Sequence, residues 1–203
     1  TQYPPQITNE TTITFEWTAS DDFTSSNEIL FSHKIDNQPW SSWSYETTES
    51  YILPDGQHSF VVRAKDLAGN IGYAYYNFTI DTTSPTITLT QYPPQITNET
   101  TITFEWTASD DITPSNQILF SYKLNDQPWS SWSYETSKSY ILSDGEYNFT
   151  LRAKDLAGNI GYAYYNFTVD TTSPSIIITQ YPPQITNETT ITFEWTASDD
   201  FTS

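Results

Sequence analysis

The feature that most constrains this chain is its self-repetition. The stretch TQYPPQITNETTITFEWTASDD runs from Thr1 to Asp22, returns unchanged at Thr90 to Asp111, and returns again at Thr179 to Asp200, offset by 89 residues each time. Self-similarity at a fixed period marks an array of one unit. Residues 1–89 and 90–178 differ at 19 positions, conservatively at Ile35/Leu124, Val62/Leu151 and Ile80/Val169 and more freely at Glu49/Lys138 and Asp36/Asn125. The period exceeds the roughly 20–50 residues of a solenoid repeat. It suits a bead that buries one modest core of its own. The predicted division is 1–81, a repeat lacking its first strand segment; 82–170, a complete repeat; and 171–203, the first two strands of a third. The overlap of 179–203 with 1–25 favours a window from a longer array over strand donation between chains.

Inside the unit, apolar residues recur with a period of two, the mark of half-buried strands. Ile13, Phe15, Trp17 and Ala19 alternate with Thr12, Thr14, Glu16 and Thr18. Ile29, Phe31, His33 and Ile35 share one face of a second strand, and His58, Phe60, Val62 and Ala64 one face of another. Tyr51–Leu53 is a short strand, Trp40–Tyr45 an extended aromatic segment, and Ile71–Ile80 a long last strand rich in Tyr and Phe. Tyr3-Pro4-Pro5 cannot occupy a central strand, because proline offers no N–H. Turn chemistry falls at Asp36–Pro39, Pro54–Gly56 and Asp66–Asn70. About seven short strands per period and no helical periodicity predict an all-β fold of tandem seven-stranded antiparallel β-sandwiches. The links, Thr82–Ser84 before Pro85 and Thr171–Ser173 before Pro174, are short and stiffened by proline, so the beads are expected to form a rod.

Net charge is −18, with seven Lys and Arg against 25 Asp and Glu. Nucleic-acid binding needs a basic footprint, so no nucleic-acid partner is expected. Without cysteine there are no disulfides and no thiolate metal sites. No apolar run is long enough to span a bilayer, so no membrane insertion is expected in this window.

The motifs FEWTASDD, Pro39-Trp40-Ser41-Ser42-Trp43, Leu142–Tyr147, RAKDLAGN (Arg63–Asn70 and Arg152–Asn159) and DTTSP resemble the tandem fibronectin type III/immunoglobulin-like repeats of bacterial and archaeal surface proteins. The resemblance implies that Trp17 and Trp106 pack under the opposite sheet, and that Tyr147 makes a corner bond to nearby backbone. Its counterpart His58 predicts a weaker corner in the first repeat.

Two sets of candidate site residues follow. Asn9, Asn77, Asn98, Asn148, Asn166 and Asn187 each open an Asn-x-Thr acceptor for N-linked glycans. In a sandwich of this topology, Asp81 approaches Asp110, Asp111, Asp155 and Asn159 at the first junction, and Asp170 meets Asp199 and Asp200 at the next. Hard oxygen ligands from several loops suit Ca²⁺. The plainer reading is that these acids cap their own turns. No cofactor is required; calcium at the junctions and N-linked glycans are the candidates. Trp40, Trp43, Tyr45, Tyr73, Tyr75 and Tyr76 exceed what one small core holds, so some are expected on the surface, to stack on sugars or on neighbouring chains.

Catalysis finds no support. His33 and His58 become Tyr122 and Tyr147 in the second unit, and no nucleophile elbow, phosphate loop or zinc spacing occurs. The expected role is a non-catalytic, extracellular or cell-surface fibre or stalk, with neighbouring repeats or identical chains as partners. The alternative is an adhesin stalk or a carbohydrate- or protein-binding module.

Overall fold

A computed structural model describes residues 2–199 and is almost entirely β. The first repeat holds β1 (Ile7–Thr8), β2 (Thr12–Glu16), β3 (Leu30–Ile35), β4 (Thr48–Ile52), β5 (Gly56–Lys65) and β6 (Ile71–Ile80). The second holds β7 (Thr86–Gln91), β8 (Ile96–Thr97), β9 (Thr101–Ser109), β10 (Leu119–Leu124), β11 (Ser137–Ile141), β12 (Gly145–Lys154) and β13 (Ile160–Val169). Two further strands, β14 (Ser175–Gln180) and β15 (Glu194–Ser198), pair with each other. Each repeat also has one short 3-10 turn, Ser26–Glu28 and Ser115–Gln117.

The second repeat is a sandwich of a four-stranded sheet, β10-β12-β13-β8, and a three-stranded sheet, β11-β9-β7. The first repeats this as β1-β6-β5-β3 over β2-β4. Pairing is antiparallel except where β1 and β8, just past the double prolines, run parallel to β6 and β13. Proline keeps Tyr3–Pro5 out of the ladder; the chain re-enters at the sheet edge with Ile7 opposite Thr79.

The alternation read from the sequence builds the two cores. Ile13, Phe15 and Trp17 from one sheet meet Phe31, Ile35, Phe60, Phe78 and Ile80 from the other. Ile102, Phe104 and Trp106 likewise meet Phe120, Leu124, Phe149, Leu151, Phe167 and Val169. At each centre two phenylalanines stack, Phe15 on Phe60 at 3.9 Å and Phe104 on Phe149 at 4.0 Å. Trp40–Tyr45 is not a regular strand, but it runs beside β3, with Ser41 N–H donating to His33 O and Ser44 exchanging backbone bonds with Phe31.

The corner bond survives the Tyr-to-His change. Tyr147 Oη donates to Ser143 O at 2.9 Å. His58 Nε2 reaches the equivalent carbonyl, Pro54 O, at 2.8 Å, and its Nδ1 meets Asp36 Oδ2 at 2.9 Å. The expected weakening of the first corner is therefore corrected: the imidazole has a second nitrogen, which gains an acid partner that a phenol could not bind in the same way.

The repeats differ most where the linker lies. In the second, β7 pairs with β9 and packs Ile87 and Leu89 on the core. The sequence begins after the first repeat's counterpart of β7, so Trp17, Ala19, Ile29, Phe31, Gly72 and Tyr73 line an uncovered groove there. Pro85 O of the linker lies only 1.9 Å from where a Cβ on Gly161 would stand, whereas Gly72 has nothing within 4 Å of that point.

Candidate functional site at the joint between repeats

The linker Asp81–Pro85 is held from both sides. Asp81 N–H donates to Thr8 O, and Thr82 Oγ1 donates to Asp55 of the first repeat at 2.9 Å. From the second repeat, Asn159 Nδ2 donates to Asp81 O at 2.7 Å, and Thr83 Oγ1 reaches Asp111 Oδ2 at 3.5 Å. Asn9 of the first repeat also lies close to Gly158, with its Nδ2 3.9 Å from the point where a Cβ would be.

This docking brings Asp81 against two loops of the second repeat. The loop after β9 carries Asp110, whose Oδ2 accepts from the N–H groups of Ile112 and Thr113 at 3.1 and 2.8 Å. The loop after β12 carries Asp155, whose Oδ1 accepts from Gly158 and Asn159 N–H at 2.6 and 2.8 Å. Asn159 Nδ2 bonds Asp155 Oδ2 at 2.8 Å. Thr113 Oγ1 accepts from Leu156 N–H at 3.1 Å and ties the two loops together. The turn-capping reading of these acids therefore holds, but it uses only part of each carboxylate.

What remains is a cluster. Asp81, Asp110 and Asp155 each bring one carboxylate oxygen within 4.8 Å of the others. Asp81 is fully buried, and Asp155 is 5 % exposed. Asp81 Oδ1 accepts from Thr83 N–H at 3.1 Å, while Asp81 Oδ2 and Asp110 Oδ1 are buried with no hydrogen-bond partner. Burial pushes the Asp81 carboxyl up to about 6; the Thr83 N–H works against this, and the charges of Asp110, Asp155 and Asp111 add to the rise.

Of the other residues expected at this junction, Asp111 stays exposed outside the cluster, and Asn159 spends its amide nitrogen on Asp155 and the Asp81 carbonyl. At the next junction Asp170 Oδ1 accepts from Thr172 N–H at 3.0 Å. Among the described residues Asp170 and Asp199 form no such group; Asp200 lies outside them. Asp21 and Asp66, which occupy the positions of Asp110 and Asp155 in the first repeat, keep the Thr24 and Asn70 bonds, but Gly69 N–H donates to the Asp66 backbone carbonyl where Gly158 uses the Asp155 side chain.

All six acceptor asparagines are exposed. Asn9, Asn98 and Asn187 sit in loops, while Asn77, Asn148 and Asn166 lie on β6, β12 and β13. Asn148 and Asn166 face each other across the sheet, Asn148 Nδ2 donating to Asn166 Oδ1 at 2.6 Å.

The surplus tryptophans have an occupation that periodicity alone did not reveal. Arg63 lies between Trp40 and Trp43, 4.1 and 4.5 Å from their centroids, and Lys34 and Lys65 cover the outer faces. Arg152, Trp129, Trp132, Lys123 and Lys154 repeat the arrangement. The readable signal was W-x-x-W beside R-x-K, with Arg63 and Lys65 on one outward strand face. Tyr73 with Tyr75, and Tyr162 with Tyr164, remain exposed as stacked pairs.

The model of the bacterial Ig-like domain family matches residues 4–82 and 90–171. Among curated proteins, the chain is 33% identical over 143 residues to chitinase A1 of Niallia circulans, covering 64% of this chain and 20% of that protein. It is 24% identical over 212 residues to exoglucanase B of Cellulomonas fimi, covering 96% and 19%. It thus spans about a fifth of the length of these relatives. Among solved structures, fibronectin(III)-like modules of Clostridium thermocellum CbhA align with a TM-score of 0.49 at 14% identity, over 80% of this chain and 87% of that one. A 1.5-MDa bacterial ice-binding adhesin aligns with a TM-score of 0.43 at 19% identity, over 83% and 62%. With the family model matching most of both full periods, the chain belongs to the bacterial Ig-like domain family.

Proposed function

We propose that this chain is a non-catalytic stretch of an extracellular or cell-surface stalk or fibre, in which sandwiches of one kind are joined end to end. The observation that carries the reading is the linker held from both sides: Asp55 grips Thr82 from one repeat and Asn159 grips Asp81 O from the next. A joint bonded to both neighbours transmits bending and tension from bead to bead, and its stability sums unit and neighbour terms. The surface suits exposure to solvent. All seven Lys and Arg lie over aromatic rings, and among the described residues none of them pairs with a carboxylate, so the net negative charge of the surface suits a long polymer kept dispersed. Exposed acceptor asparagines fit an exported, N-glycosylated array. Among the described residues no helix is long and apolar enough to cross a membrane.

Electron microscopy of the parent assembly tests this. A filament with an axial repeat of about 35–45 Å, near the length of the ten-residue strands plus their loops, is expected. Compact particles without an axial repeat refute it.

A second reading has its own support. The curated relatives are named as a chitinase and exoglucanases, and the paired tyrosines leave aromatic faces in water. In that reading the repeats are accessory modules that bind polysaccharide. Sedimentation of the chain with insoluble chitin or cellulose, lost on Tyr73→Ala and Tyr162→Ala together, supports it; no co-sedimentation removes it.

A further inference from the structure

We propose that, of the six acceptor asparagines, Asn77 and Asn166 are the ones that carry N-glycans, and that the first sugar on each lies against the exposed ring of Tyr75 or Tyr164. This deepens the exported, glycosylated array proposed above and rests on that reading for the glycan itself. Three observations carry it.

The first is register on one strand face. Residues two apart on a strand share a face and stand about 6.4–6.8 Å apart. Tyr73, Tyr75, Asn77 and Thr79 therefore follow one another on the outer face of β6, while Tyr76, Phe78 and Ile80 face the core. Tyr162, Tyr164, Asn166 and Thr168 repeat the row on β13. Tyr75 is 70 % exposed and Tyr164 66 %. Tyr73 stacks on Tyr75 at 6.3 Å, and Tyr162 on Tyr164 at 6.3 Å. Because the row runs tyrosine, tyrosine, asparagine, the side of the second ring left uncovered is the one toward the acceptor. A pyranose joined to the asparagine Nδ2 meets that side, its C–H groups against the negative face of the ring.

The second is the state of each amide. Among the described residues nothing hydrogen-bonds the Asn77 side chain. Asn166 accepts at Oδ1 from Asn148, so its own Nδ2, the atom that takes the sugar, is free. Asn148 is the reverse case: its Nδ2 is the donor, and its Oδ1 accepts from Thr150 Oγ1 at 2.8 Å. The residue two before Asn148 is Glu146, and two before Asn9, Asn98 and Asn187 stand Ile7, Ile96 and Ile185, so none of these offers a ring. The last three are also followed directly by Glu10, Glu99 and Glu188, whose charge opposes an anionic sugar donor.

The third is room. Asn77 stands at the edge of an open hollow of about 890 Å³, lined on its polar side by Lys34, Asp36, Gln57 and Ser59. Sugars beyond the first find space and hydrogen-bonding groups there. In the transfer step, Asn77 Nδ2 attacks C1 of a sugar carried on a lipid phosphate. The C1–N bond forms, the C1–O bond to phosphate breaks, the lipid phosphate leaves with the electron pair, and the amide gives up one proton.

Two measurements test this. Glycopeptide mass spectrometry of the chain from its natural source should find sugar on Asn77 and Asn166. The whole chain is then secreted from eukaryotic cells that glycosylate Asn-x-Thr, trimmed enzymatically to one N-acetylglucosamine per site, and compared by NMR and urea denaturation. The ring current of Tyr75 should move the C–H proton signals of the Asn77 sugar upfield. Tyr75→Ala should abolish that shift and leave the Asn166 sugar unchanged, and Tyr75→Phe, which keeps the ring, should preserve it. The sugar at Asn77 should raise the folding equilibrium about two- to twelvefold, the range of an aromatic stacking contact, and Tyr75→Ala should remove this gain. A natural chain bare at Asn77 and Asn166, or sugar signals indifferent to Tyr75→Ala, overturns the proposal. Its failure is distinct from failure of the stalk. A filament bare at both asparagines sinks the glycans and leaves the stalk; sugars at both on compact particles without an axial repeat sink the stalk and leave the glycans.

Discussion

Gly161 and Gly72 are the same residue in the same strand register, each inside IGYAYYNF and each paired with alanine, Ala153 or Ala64. They differ in what covers them. A Cβ on Gly161 would stand 1.9 Å from Pro85 O and 3.1 Å from Pro85 C, both backbone atoms of the linker. Ordinary contact needs about 3.4 Å or more, so Gly161→Ala requires the linker to retreat by roughly 1.5 Å; overpacking of this kind costs about 1–3 kcal/mol. The retreat also lifts β7, whose Ile87 and Leu89 are part-buried on the second core. Losing half of their burial adds about 1.5–3 kcal/mol in total. A loss of about 2.5–6 kcal/mol in the second repeat follows, equivalent to a drop of some 10 °C or more in its melting temperature. Gly72→Ala, with open space around it, should be neutral or stabilising by up to about 1 kcal/mol through the unfolded chain. Urea denaturation of the two variants in parallel is the assay. If they agree within about 0.5 kcal/mol, the range of an ordinary surface substitution, the linker does not pack as described.

Three further outcomes are expected. Arg152→Met removes a guanidinium held between Trp129 and Trp132; two partly exposed cation–π contacts predict a loss of about 1–2 kcal/mol by urea denaturation, and no measurable loss would reduce the ladder to mere proximity. Burial holds the His33 imidazole below its usual 6.5, against the upward pull of Glu49. The unfolded chain thus takes up the proton first, so this histidine's contribution to stability falls as pH drops through about 6.5. His33→Tyr, the residue found at 122, should flatten the dependence of the urea midpoint on pH in that range, and an unchanged slope refutes the assignment. If the chain is N-glycosylated, Asn148 and Asn166 should not both carry a glycan in one molecule, because their amides are hydrogen-bonded across the strand pair; Asn77, opposite Ser59, is free of this competition. Intact glycopeptide mass spectrometry showing both occupied would contradict it.

The sheets were legible because alternation with a period of two leaves few ways to bury Ile13, Phe15 and Trp17, and identical copies repeat the message. The approach of Asp81 to Asp110 and Asp155 was legible too, since topology alone places the end of one repeat beside those loops of the next. Less was readable where a side chain's partner is set by detailed shape. Asn159 was read only by its type, and its amide nitrogen is the group that bonds Asp155 and the linker carbonyl. Trp40 and Trp43 looked like surplus core or a sugar platform, because hydrophobic counting does not show that Arg63 will slide between two indoles. The corner at His58 looked weak because one bond was weighed and the second ring nitrogen was not.

The same comparison explains why one acid set forms a cluster and its copy does not. Asp21 and Asp66 match Asp110 and Asp155 in sequence context and in the Thr and Asn turn bonds, and each set carries the same charge. Only the second set receives a third carboxylate, and that residue belongs to the preceding repeat. The cluster is therefore a property of the joint and not of the bead. Bringing Asp81 to zero exposure beside two other acids opposes docking by desolvation and like-charge repulsion, while Pro85 against Gly161, the Thr82–Asp55 bond and the Asn159–Asp81 bond favour it. A joint balanced in this way responds to whatever relieves the repulsion.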